Sequence, residues 1–147
     1  MPVLLSVLRT FEIPTAPEVT SEDYFKEAGV KFMGSNFKTQ FLDVEILPIQ
    51  ERKLAVRKLE ENSLDSPILQ DLGSRAKISI SQFHAFLKAN RESKEWFIFY
   101  LEGKNGKLWA VSAYWDFFGV GWRVGADPVS NTDGLYTGCQ VVSQVRN

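Results

Sequence analysis

Cysteine and histidine are nearly missing from this sequence: Cys139 and His84 stand alone. A single cysteine forbids an internal disulfide, and the pair is too few for a zinc site of the Cys/His type built from this chain alone. Long apolar runs are missing as well. No stretch approaches the roughly 20 residues that a membrane-spanning helix needs, and Met1–Ile13 has no basic segment ahead of its apolar part. A soluble, unsecreted protein of the cytoplasm is expected, with no membrane partner. Concentrated charge is the third absence. Residues 1–73 hold 8 Lys/Arg and 12 Asp/Glu, residues 74–147 hold 9 and 6, and the whole chain carries −1. A nucleic-acid binder usually shows a basic stripe and a pI above about 9; here the pI is 5.9, which demotes nucleic acid.

What the chain does have is aromatic side chains, 13% of 147 residues with eleven Phe and four Trp. Aromatics suit a pleated, half-buried surface, so a sheet is expected. The length fits one domain, 1–147. Val3–Ile13 fits a strand or a helical stripe; the prolines Pro14 and Pro17 favour a strand, leaving residues 1–20 as an extended arm or edge strand. Ser21–Ala28 reads as a short helix stopped by Gly29. Val30–Met33, the turn Gly34-Ser35-Asn36 and Phe37–Leu47 read as a β-hairpin ended by Pro48, with Phe37, Thr39 and Phe41 on one face. Leu54–Leu59 is a further strand or a short helix. Ser66-Pro67 predicts an N-cap and a first-turn proline for a helix over Pro67–Leu72, closed by Gly73.

The sharpest local signal is Ile78-Ser79-Ile80-Ser81-Gln82-Phe83. Ser79 and Gln82 fit a capping box, and Ile78 and Phe83 fit the hydrophobic staple of the same helix start. A helix over Ile80–Asn90 follows, burying Ile80, Phe83, Phe86 and Leu87. From Trp96 the period becomes two. Trp96–Leu101 is apolar on both faces, as an inner strand is, and Asn105-Gly106 marks a tight hairpin turn. Leu108–Trp115 puts Trp109, Val111, Ala113 and Trp115 on one face; Trp122, Val124 and Ala126, then Cys139, Val141 and Val145, repeat the alternation. The expected fold is a single α+β domain: a four-stranded antiparallel C-terminal meander packed on the capped helix, with an N-terminal hairpin and short helices.

The segments Gly121–Ala126 and Gly138–Ser143, with Phe37–Glu45, Asp65–Gly73 and Lys107–Val111, resemble uncharacterised small prokaryotic or phage proteins over roughly two-thirds of the chain. Tyr136 stands where that pattern has tryptophan, and no arginine follows Ser143. The resemblance implies one domain and no function.

Catalytic chemistry finds few residues to work with. Cys139 and His84 are the one thiol–imidazole pair, and a reactive thiol needs an electropositive, partly open setting. Cys139 reads as a small hydrophobe at a strand end, and His84 as a hydrogen-bonded residue bordering the apolar stripe. Asp43 and Glu45, on one face of the expected strand about 7 Å apart, could act as a carboxylate pair with His84 in a hydrolase or lyase; a polar outer face gives the same spacing. Asp116, Asp127 and Asp133 lie in loops without a calcium-loop pattern. Gly119-Val120-Gly121 and Gly103–Lys107 lack the context of a phosphate loop and read as turns. No cofactor or metal is implied. A nucleic-acid reading rests on Lys104, Lys107 and Arg123 beside the meander aromatics.

Trp109, Trp115 and Trp122 are expected in the core. Tyr114, Phe117, Phe118 and Val120 are left, in and beside a glycine-flanked turn. Exposed, they would form an apolar patch for a protein partner; folded back onto the N-terminal segment, they would be core. The leading expectation is a non-enzymatic interaction protein, with a homo-oligomer left open.

Overall fold

The computed structural model describes residues 19–46, 53–129, 135 and 137–145. The readings of Val3–Ile13, the arm over residues 1–18, Pro48, Asp133 and Tyr136 lie outside them. Among the described residues, four α-helices, α1 (Glu22–Glu27), α2 (Ser35–Phe41), α3 (Asp65–Leu72) and α4 (Ile80–Ala89), flank one sheet. Its strands are β1 (Val30–Met33), β2 (Leu54–Lys58), β3 (Phe97–Glu102), β4 (Leu108–Asp116), β5 (Gly121–Pro128) and β6 (Gln140–Gln144), in the order β1-β5-β4-β3-β6-β2. The fold is α+β.

The capped helix forms as its sequence dictates. Ser79 Oγ accepts the Gln82 N–H at 3.1 Å, and the Gln82 side chain accepts the Ser79 N–H at 2.9 Å. Both orphan donors are thereby satisfied. Phe83 and Leu87 are fully buried, with Ile80 and Phe86 packed at the margin of the same core. That core fills one face of the sheet. Phe25 of α1, Phe37 and Phe41 of α2, and Phe83 of α4 meet Phe99, Val111 and Trp122 there. Trp122 is sealed from solvent and donates its indole N–H to the Leu87 carbonyl at 3.0 Å, so the largest side chain leaves no polar atom unpaired.

Three expectations are corrected. The N-terminal hairpin does not form: Phe37–Phe41 is helical, and β1 instead pairs in parallel with β5. Phe37 and Phe41 are four apart, a spacing that places side chains together on either a strand or a helix. The helix wins because it buries both rings while exposing Thr39, whose hydroxyl bonds the Ser35 carbonyl. The four-stranded meander is also revised. β3, β4 and β5 are antiparallel neighbours, but β6 crosses to the far side of β3, parallel to it and antiparallel to β2. Val141 and Val142 are both buried, so β6 has two covered faces and needs an inner place. Lastly, α3 begins at Asp65, with Leu64 at its N-cap, and Ser66 and Pro67 fall inside its first turn.

The second face of the sheet is covered unevenly. Ile68 and Leu72 of α3, with Ala76, pack on Ile98, Tyr100, Ala110 and Val141. Toward the β4–β5 turn that face carries a cross-strand row instead: Trp96 stacked on Tyr114, Tyr114 opposite Arg123, and Arg123 opposite Phe32.

Candidate functional site

β4 and β5 are in register from Trp109↔Pro128 to Asp116↔Gly121, which leaves Phe117, Phe118, Gly119 and Val120 as the connection. Asp116 organises it. Its Oδ1 accepts the N–H groups of Phe118 at 2.9 Å and Gly119 at 3.0 Å, and its Oδ2 accepts Arg123 Nε at 2.7 Å. The Gly119 N–H and the Arg123 guanidinium hold this carboxyl below the usual Asp range. Arg123 in turn lies over the Phe32 ring, 3.9 Å from its centroid, a cation–π contact. Lys31 Nζ donates to the Gly119 carbonyl at 2.6 Å. Side chains from β1, β4 and β5 thus fix the backbone of this turn.

The glycines of this turn are where space is short. A Cβ on Gly119 would come within 2.8 Å of the Phe32 ring, and one on Gly121 within 2.6 Å of Lys31 Cβ. The left-handed position is occupied by another residue. Val120 has φ +55°, a conformation that costs an L-residue about 1–2 kcal/mol and is least tolerated by β-branched side chains. The turn therefore stores backbone strain in an apolar residue that is itself 66% exposed.

Around that residue the exposure is concentrated. Phe118 is fully exposed at 102% and Phe117 is 53% exposed. Tyr114 takes a different part: half-buried, it stacks on Trp96 at 4.1 Å and 11° and stiffens the base of the hairpin. The row Trp96, Tyr114, Arg123, Phe32 stands behind the turn, with Trp96 half-exposed at its end.

The other candidate residues do not converge. Asp43 lies just beyond α2 in a turn at φ +60°, and Glu45 forms an isolated bridge to Val19; both are exposed. His84 sits on α4, stacked 3.9 Å from Tyr24, with its Nε2–H donated to the Tyr24 carbonyl at 2.8 Å. Burial lowers its pKa, and the charged groups acting on it are Glu27 and Lys88. Its ring is engaged in holding α1 against α4. Cys139 is partly buried against the α3 cluster. Lys104 and Lys107 flank the β3–β4 turn, whereas Arg123 faces Tyr114 near the other end of β4, about 20 Å away along the strand. Asp116 is committed to the turn, and Asp127 is exposed on β5. Among the described residues, no three His, Cys, Asp or Glu side chains gather to hold a metal ion.

Two features escaped the sequence. Asp65, at the start of α3, is buried at 4% exposure and accepts the Tyr100 hydroxyl at 2.7 Å. Desolvation raises its pKa against the pull of that hydrogen bond, with Asp127 adding like charge, and Tyr100 is pushed up by burial. The partners are 35 residues apart, so no local pattern marks them. A groove of about 450 Å³ runs between α3 and residues 57–63; Arg57, Lys58, Glu60, Glu61 and Asp71 line it, all exposed.

No family model, curated protein or solved structure matches the chain. Among the described residues, no helix is long and apolar enough to cross a membrane.

Proposed function

We propose that the chain is a small non-enzymatic interaction protein of the cytoplasm that holds a macromolecular partner through Phe117, Phe118 and Val120, with Tyr114 supporting the turn from behind. The observation that carries this reading is the fully exposed Phe118 on a turn braced by Asp116, Lys31 and Arg123. Burying one phenyl ring is worth roughly 1.5–3 kcal/mol. A turn already fixed in its bound shape gives up little conformational freedom on binding, so more of that energy appears as affinity. The strained Val120 supports the same reading, because a glycine there would relieve the backbone and remove an exposed apolar group.

The test is to replace Phe117 and Phe118 with Ser and to follow partner capture from native cells beside thermal unfolding. Capture is expected to be lost with the melting temperature nearly unchanged. Capture that survives both replacements overturns the reading, as does a large fall in stability, which would make the two rings part of the core.

A further inference from the structure

Resting on that reading, we infer that the partner is a protein presenting a concave apolar pocket with carboxylates at its rim. The charges bonded into the turn are unequal in what they show. Asp116 is sunken, with its side chain 15% exposed and both oxygens occupied, whereas the Arg123 side chain is 42% exposed. Lys31 is exposed and uses its ammonium on a neutral carbonyl, that of Gly119. An ammonium has three donors and a guanidinium five, so each cation keeps N–H groups beyond the bonds that brace the turn. A partner surface therefore meets apolar rings in the centre and positive charge at the edge. Carboxylates at the rim complement that edge, steer encounter and fix orientation.

Shape favours a protein pocket over a lipid surface. A fluid hydrocarbon phase accepts an apolar side chain in any orientation, and so does not select one turn geometry over another. A shaped pocket does. The Asp116 bonds and the left-handed Val120 hold the backbone that carries the three apolar side chains in one geometry at a cost in strain, which suits shape-matched recognition.

The experiment places a photo-cross-linking p-benzoylphenylalanine at position 118 of the full chain in native cells and maps the cross-linked atoms. The same label at Asn105, in the other hairpin turn of β4, is the control. Expected is a cross-link specific to position 118, landing in a protein pocket of apolar residues with Asp or Glu at its rim. The affinity of the isolated pair should fall about three- to tenfold between low and high salt. Equal labelling from positions 118 and 105, or none from 118, overturns the interaction reading itself. A specific cross-link to a pocket without acidic residues, or a salt-insensitive complex, leaves that reading standing and overturns the carboxylate rim. Cross-linking to lipid or nucleic acid, or co-sedimentation with phosphatidylglycerol vesicles that depends on Phe118, overturns the protein partner.

Discussion

β4 ends in two hairpin turns, and they solve the same geometric problem in opposite ways. At its start, Gly103–Lys107 turns through Gly106 at φ +75°, with open space where a side chain would be, and with Lys104, Asn105 and Lys107 exposed to water. Asn105 secures it by accepting the Lys107 N–H at 3.0 Å. At its end, the β4–β5 turn puts valine in the left-handed position and spends its glycines on close approach to β1. The first turn is braced too, since the Gln40 carbonyl and side-chain oxygen accept the Lys104 and Asn105 N–H groups at 3.3 Å, but its left-handed residue is the glycine that hairpin closure favours. The second differs in carrying strain on a non-glycine residue and exposed apolar side chains, and that difference isolates what remains for function to explain.

The largest expected effect separates the turns by binding. Phe118→Ser is expected to weaken partner binding by about thirtyfold or more, as loss of a central aromatic anchor does. Its effect on stability should stay within about 0.5 kcal/mol, since the ring is fully exposed. Asn105→Ser in the other turn should leave binding unchanged. Titration of the partner against the two variants, beside thermal unfolding, checks both; equal losses from the two turns would abolish the contrast.

Next in size is an exchange of the two left-handed residues. Gly106→Val forces a β-branched side chain to φ +75° and should cost about 1–2 kcal/mol. Val120→Gly removes the corresponding strain, offset in part by the greater freedom of glycine in the unfolded chain, and should gain about 0.5–1 kcal/mol. At this chain length such a gain raises the melting temperature by a few degrees at most. Partner affinity should nonetheless drop with Val120→Gly. A variant that unfolds at higher temperature and binds less well would show strain retained for recognition; one that is less stable would show that Val120 is not strained in solution.

How much of this the sequence announces depends on the separation of the groups involved. The α4 cap is legible because Ser79, Gln82, Ile78 and Phe83 are all within six residues and speak to each other directly. α2 is not, because Phe37 and Phe41 satisfy both the strand and the helix period, and the choice is made by Phe25 and Phe83 from elsewhere. The inner place of β6 is set by pairing with β2 and β3, both more than 35 residues distant. For the turn, the sequence gives the aromatic density and the glycines. The Asp116 bonds, to residues two, three and seven positions on, are within local reach, but the Lys31 brace spans 88 positions and the exposure depends on which segments pack nearby. The Asp65–Tyr100 bond is hidden for the same reason.

The smallest expected effect is on pH dependence, and it again divides the turns. Asp116 is ionised in the folded state to a lower pH than a free carboxyl because its charged form accepts the Gly119 and Phe118 N–H groups and the Arg123 guanidinium. A carboxyl whose folded pKa is depressed contributes stability that is full above its unfolded pKa, about 3.9, and is lost as pH falls through the folded value. From neutral pH down to about 5, amide exchange at Phe118 and Gly119 should therefore show no acid-linked loosening. In stronger acid, protection of these two amides should fall as the carboxylate that accepts them is protonated. The β3–β4 turn is closed by the Asn105 amide, which does not titrate, so the Lys107 amide should show no matching change. Amide exchange followed residue by residue between pH 5 and pH 2 distinguishes the cases. Loosening of both turns together would mean that the sheet, and not Asp116, sets the order of the exposed rings.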